Sequence, residues 1–305
     1  MVAQLLIYKI AQLAIIMAIG FALVKFKVLK SESSMVLSKM SLYIFMPAVI
    51  VNAFNKDITN DVMAGLGLAF AVAIVLHIVF LLVDRVAKRA LKCTTVERTS
   101  IVYSNSGNLI IPIVGYILGN EWVIYSCAFL IVALVLTWTH EVSLFNKNEK
   151  FNILKILLNP NMITIILCFA IVAFGIKLPS FCYEITGDLG NMLAPSAMLV
   201  AGMLAASIDF KKYIKKGRLY LITFCRLVAV PLVVLGLFKV VMPYINVANA
   251  DKILLISFLA SITPSASTVI QMSQVYGDDV EYAVVINFAT TVFCIITMPA
   301  FVALF

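Results

Sequence analysis

Charge is scarce in this chain. Aspartate, glutamate, lysine and arginine make up 12% of its 305 residues, against 63% hydrophobic. That balance excludes a soluble domain of this length. Metal-binding patterns are also missing. The six cysteines (Cys93, Cys127, Cys168, Cys182, Cys225 and Cys294) form no C-x-x-C pair and read as small packing residues. No cofactor and no metal site is expected. Alternating ten-residue segments, the mark of membrane β-strands, are absent. An enzyme needs a nucleophile, an acid–base pair or a metal cluster at one depth. Two histidines, with Asp84, Asp188, Asp209 and Glu281 all near segment ends, supply none. No enzymatic activity is therefore expected, and no carboxylate proton relay stands at mid-span.

Long apolar runs dominate instead. A membrane-spanning helix needs about 20 mainly apolar residues. That ruler gives ten candidate spans, near 4–25, 35–54, 62–83, 97–118, 122–140, 157–177, 187–207, 217–240, 252–273 and 280–304. The first is long enough to span and lacks a small-residue cleavage pattern, so it reads as a span rather than a signal peptide. The longest polar link, 141–155, divides the chain into halves 1–140 and 156–305.

The formal net charge of +8 lies mostly in alternate loops. Odd-numbered loops hold Lys25, Lys27, Lys30 and Lys39, then Arg85, Lys88, Arg89, Lys92 and Arg98. Further on come Lys147, Lys150 and Lys155, then Lys211, Lys212, Lys215, Lys216 and Arg218. Even-numbered loops offer Lys56, Lys177, Lys239 and Lys252. Short basic loops face the cytoplasm. The expectation is an integral plasma-membrane protein with both termini on the non-cytoplasmic side. The lipid bilayer, and not nucleic acid, explains the basic excess.

Two polar, proline-marked stretches interrupt the apolar spans. The first is Tyr103-Ser104-Asn105-Ser106-Gly107-Asn108, followed by Pro112; the second is Thr263-Pro264-Ser265-Ala266-Ser267-Thr268. Broken helix at membrane depth survives only when buried in protein or lining a cavity. Pro47 and Pro195, like Pro112 and Pro264, are offset by about half the chain, which suggests an internal repeat. Five spans per repeat is odd, so the copies are inverted, as in many secondary transporters. The fold class expected is an all-α integral membrane protein of ten transmembrane helices. They form two inverted five-helix repeats, with broken, crossing spans 4 and 9.

Each break should start a second half-helix near Pro112 or Pro264. Helix N-termini carry free N–H groups and a partial positive charge. Two of them converging at the midplane suit a small organic anion. The candidate binding residues are Asn105, Ser106, Gly107, Asn108, Pro112, Pro264, Ser265, Ser267 and Thr268. Pro47, Asn52, Pro195 and Gln271 are accessory. Asn287, Thr290 and Thr291 in span 10 are candidates to face the second break. Arg226 has two readings: attraction of an anion, or snorkelling to the basic face. His77 is either a proton carrier or a hydrogen-bonded packing residue. His140 and Glu141 read as interfacial, at a span end.

At these residues the chain resembles the auxin efflux carrier family, which includes the plant PIN transporters and bacterial permeases for dicarboxylates such as malate and malonate. The resemblance runs over essentially the whole chain. Asn105 with Pro112 is similar to the family's span-4 crossover. Thr263-Pro264-Ser265-Ala266-Ser267, leading to Val275-Tyr276-Gly277 and Asp278-Asp279-Val280-Glu281, is similar to the bacterial members. Leu193-Ala194-Pro195 with Ala201-Gly202-Met203 is similar to the family's span 7. The resemblance implies a scaffold of spans 1, 2, 6 and 7 and a transport domain of spans 3–5 and 8–10. It also implies a homodimer formed through the scaffold. PIN proteins carry a further proline where Thr268-Val269 stands, which points away from auxin and toward a bacterial-type organic acid. Coupling to a proton or a sodium ion is open. A sodium-coupled symporter of the bile-acid-transporter type and a transporter-like ligand sensor are the rival readings.

Overall fold

The computed structural model describes residues 2–55, 59–146 and 153–305. Lys56, Lys147 and Lys150 lie outside the described residues. The described chain is helical, and no strand is present among the described residues beyond one isolated backbone bridge.

Seven helices are long and apolar enough to cross a membrane. They are α1 (Val2–Lys25), α2 (Ser31–Ala53), α3 (Asn60–Arg89), α6 (Asn120–Phe145), α8 (Ser180–Ala205), α9 (Gly217–Tyr244) and α12 (Val280–Leu304). The other three expected spans are shorter or interrupted. Residues 97–118 fall on α4 (Thr95–Val102) and α5 (Ser106–Ile117). Residues 157–177 hold α7 (Pro160–Ala173), and residues 252–273 fall on α10 (Ala250–Ser261) and α11 (Ser267–Tyr276).

Local chemistry sets the helix ends. Thr59 Oγ1 accepts from the Val62 amide to start α3. Thr94 and Glu97 form a reciprocal capping box at α4, with bonds of 3.3 and 2.9 Å. Asn159 caps α7, where Pro160 needs no amide partner. Gly277, at φ +74°, ends α11 in the left-handed conformation that glycine adopts without strain. Asp279 then caps α12 through the Tyr282 amide.

The helices pack in two groups. In one, α1 lies along the second half of α8, and α2 packs on α7 and α8. In the other, α3 packs on α6 and α10, and α9 and α11 pack on α12. Contacts of α1 and α8 with α5 and α12 join the groups. The α1–α8 contact is backbone-close. A Cβ added at Gly202 would overlap the Met17 carbonyl oxygen, and one at Gly20 would overlap that of Leu199.

Ion pairs gather several helix ends at one end of the bundle. Arg98 of α4 grips Asp84 of α3 with two bonds of 2.9 and 2.6 Å. Arg218 of α9 grips Glu97 of α4 at 2.7 and 2.8 Å. Lys212 meets Glu281 of α12 at 3.2 Å. The basic stretches 85–98 and 211–218 therefore share one end.

Because backbone stands opposite Gly202, the α1–α8 contact cannot absorb a larger residue by rotamer change. Gly202→Val should destabilise the protein by about 1–3 kcal/mol. Gly236→Ala, which meets nothing within 4 Å, should leave the melting temperature unchanged or raise it slightly. Thermal unfolding of the purified variants checks the contrast.

Candidate functional site

Two interrupted helices cross at the centre of the second group. α4 stops at Val102 and α10 at Ser261, and each chain then runs without helix for a few residues. There the two segments pair. The Asn105 amide donates to the Pro264 carbonyl at 2.9 Å, and the Ala266 amide donates to the Tyr103 carbonyl at 3.0 Å. These bonds form a short antiparallel bridge between Ser104 and Ser265. Each break thus satisfies the backbone groups that the other leaves free.

Side chains complete the crossing. Asn287 of α12 donates to the Ser265 carbonyl at 2.6 Å, and Thr290 Oγ1 accepts from the Ser265 amide at 3.2 Å. Arg226 of α9 has no exposed surface. Its guanidinium donates to the carbonyls of Ile101 (3.1 Å), Ser261 (2.9 Å) and Thr263 (2.9 and 2.6 Å). It thereby caps the C-terminal, negative ends of α4 and α10 together. The snorkelling reading of Arg226 is corrected by this geometry. It does not reach the surface, and its donors are spent on backbone. The cause is a wide i→i+5 turn over Cys225–Ala229, which rotates the side chain inward.

The positive ends point elsewhere. α5 begins at Ser106, well before Pro112, whereas α11 begins at Ser267, close to Pro264 as the sequence suggests. The extended residues of the crossing fix these starts, and Pro112 is carried inside α5. Neither N-terminus has a side-chain cap. Ser267 Oγ donates to Asn105 Oδ1 at 3.4 Å, and Asn108 Nδ2 donates to Asn105 Oδ1 at 3.2 Å. The two first turns are therefore neighbours.

They open on a cavity of about 580 Å³. Asn105, Ser106, Gly107, Asn108, Ser267, Thr268, Gln271 and His77 line it. Trp138 of α6 also lines it, and Ser38 and Ser41 of α2 with Lys155 and Asn159 beside α7 close it from the facing side. His77 Nδ1 donates to the Ala73 carbonyl at 2.7 Å, and its ring lies against Phe80 and Phe129.

Other sequence candidates lie outside this cavity. Pro112, Asn52 and Pro195 line a separate cavity of about 370 Å³ with Lys9 and Asn120. Asn52 Nδ2 also donates to the Tyr183 carbonyl at 2.8 Å. Pro47 sits two residues beyond a wide turn over Ser41–Phe45, beside the lining residue Met46. Pro264 contributes its carbonyl to the crossing while its ring faces a small apolar pocket. Ser265 is fully buried, and Thr291 bonds its own helix at Asn287.

Glu141 is the residue that sequence reasoning misplaced. It is not interfacial: none of its surface is exposed, and Thr268 Oγ1 lies 3.1 Å from both carboxylate oxygens. A charged pair after an apolar run reads as a span end, yet α6 continues to Phe145. A wide turn over Thr137–Glu141 then aims Glu141 at α11. A carboxylate therefore does stand beside the crossing.

A family model described as membrane transport protein matches residues 5–302. No curated protein matches the chain.

Arg226 supports three buried carbonyls, so its loss should be felt at the crossing first. Arg226→Met should cost roughly 3 kcal/mol or more, because each orphaned buried acceptor costs about 1–3 kcal/mol. Arg226→Lys should recover only part, since an ammonium lacks the planar fork. Thermal unfolding gives the loss, and faster hydrogen exchange at the Asn105 and Ala266 amides locates it.

Proposed function

This chain belongs to the auxin efflux carrier family of membrane transporters, and we propose that it carries a small organic anion, a mono- or dicarboxylate, by alternating access around the crossing. The observation that carries this reading is the convergence of two uncapped helix N-termini on one cavity, with both C-termini turned away onto Arg226. First-turn amides and the helix dipole favour a carboxylate there. Arg226 adds a buried positive charge that no carboxylate pairs among the described residues. In a low-dielectric interior such a charge acts over many ångströms. The mixed lining, with hydroxyls and amides beside Leu130, Leu134 and Met46, suits a short carbon chain bearing carboxylates.

The ten-span, inverted-repeat arrangement is part of the proposal. α4 with α5 serves as one broken span and α10 with α11 as its inverted counterpart. Both termini then face the non-cytoplasmic side. The group of α1, α2, α7 and α8 acts as scaffold, and the group of α3–α6 and α9–α12 moves against it in an elevator-like or rocking step. Packing supports the division, because most contacts lie within each group and the cavity lies between them. Lys155 and Tyr276 line the cavity on the side of the basic loops, the side assigned to the cytoplasm, while Lys9 and Asn120 line the smaller cavity. A homodimer through the scaffold completes the reading.

A thermal-shift panel of acetate, malonate, malate and indole-3-acetate tests the substrate class. A saturable rise in melting temperature with at least one carboxylate is expected, because a ligand that binds the folded state stabilises it by mass action. Asn105→Ala should abolish saturable uptake of that carboxylate in proteoliposomes at an unchanged melting temperature. Unchanged uptake contradicts the assignment.

A further inference from the structure

Glu141 has no part in holding the crossing together, and its position is chemically expensive. Its carboxylate accepts from Thr268. No lysine, arginine or histidine is within ion-pair distance among the described residues. Thr137 and Thr268 both line the 580 Å³ cavity, so Glu141 stands one side chain behind its wall. Thr268 also belongs to the first turn of α11, one of the two helix ends assigned to the anion.

Among the described residues, the charged groups around Glu141 are few. Tyr103 faces it from the end of α4, with its hydroxyl 2.9 Å from His140 Nδ1. His140, the preceding residue of α6, has Nε2 3.6 Å from Asp84 of α3, and Arg98 neutralises that aspartate. Arg98 and Asp84 balance each other in charge without Glu141. From α11, Thr268 faces it.

An ionised carboxylate sealed from water and unpaired with a cation is costly. A second negative charge arriving at the N-terminus of α11 raises that cost, since like charges repel strongly where water is excluded. A proton on Glu141 removes both penalties. Its new O–H is also within reach of Thr268 Oγ1, whose hydroxyl can accept as well as donate.

We propose that Glu141 is the proton-binding site of this carrier, and that the organic anion and a proton on Glu141 occupy the moving group together. The inference rests on reading the cavity as an anion site. The proton comes from bulk water at one face and returns to it at the other; only the Glu141 O–H bond forms and breaks. Linkage is reciprocal: the anion tightens proton binding by the factor by which the proton tightens anion binding. Downhill proton flow then drives anion accumulation.

The test uses the carboxylate from the thermal-shift panel that stabilises the protein most. In weakly buffered detergent solution with a pH indicator, at a pH alkaline enough that Glu141 is ionised before the anion is added, wild-type protein should take up one proton per anion bound. Glu141→Gln, a permanent mimic of the protonated form, should bind the anion with no proton uptake. In proteoliposomes the variant should exchange labelled for unlabelled anion yet lose accumulation driven by a pH gradient. His140→Gln should keep that accumulation. Proton uptake by Glu141→Gln equal to wild type overturns the inference. If the variant does not fold, the wild-type measurement decides: anion binding without proton uptake overturns the inference and leaves the anion reading standing. Failure of every carboxylate to bind wild-type protein removes the anion reading and this inference with it.

Discussion

Two backbone hydrogen bonds, from Asn105 to Pro264 and from Ala266 to Tyr103, are the constraint on which the rest depends. An interrupted helix in hydrocarbon is prohibitive alone, because its free amides and carbonyls have no water to meet. Two interruptions that cross can satisfy one another. Once they do, polarity is sorted. The carbonyl ends of α4 and α10 fall to Arg226, and the amide ends of α5 and α11 are left facing the cavity. Asn287 and Thr290 fix the rotation of the second segment by holding both polar atoms of the Ser265 backbone.

The surrounding helices serve this centre. Wide turns in α2, α6 and α9 each turn a polar side chain toward it: Ser41, Glu141 and Arg226. Such turns cost helix regularity and are retained where a side chain must be re-aimed. Around them the two helix groups differ in their own glue. The α1–α8 contact is glycine-tight, whereas the other group is tied at its basic end by the Asp84–Arg98 and Glu97–Arg218 pairs. Separate internal cohesion is what a movement of one group against the other requires.

Much of this was legible in the residues. Long apolar runs specify the helices, and the polar runs 103–108 and 263–268 specify where two of them break. The proline marks were poorer guides, since Pro112 lies inside α5 and away from the cavity. Helix ends were set by the pairing of distant segments, which local sequence does not express. Arg226 and Glu141 escaped for a related reason. Each is one charged residue in or beside an apolar run, and the direction of its side chain depends on an i→i+5 turn with no local sequence mark. A partner search would have helped with Arg226, because three free carbonyls at two broken ends require a multivalent donor somewhere in the bundle.

The central claim is that the paired N-termini of α5 and α11 form the anion site. Anomalous diffraction from crystals grown with a bromine-labelled dicarboxylate, such as bromosuccinate, tests it most directly. The account predicts a bromine peak inside the cavity lined by Asn105 and Ser267, with a carboxylate within hydrogen-bond distance of first-turn amides at Ser106–Asn108 or Ser267–Val269. A peak confined to the cavity lined by Lys9 and Asn52, with the crossing empty, would contradict it.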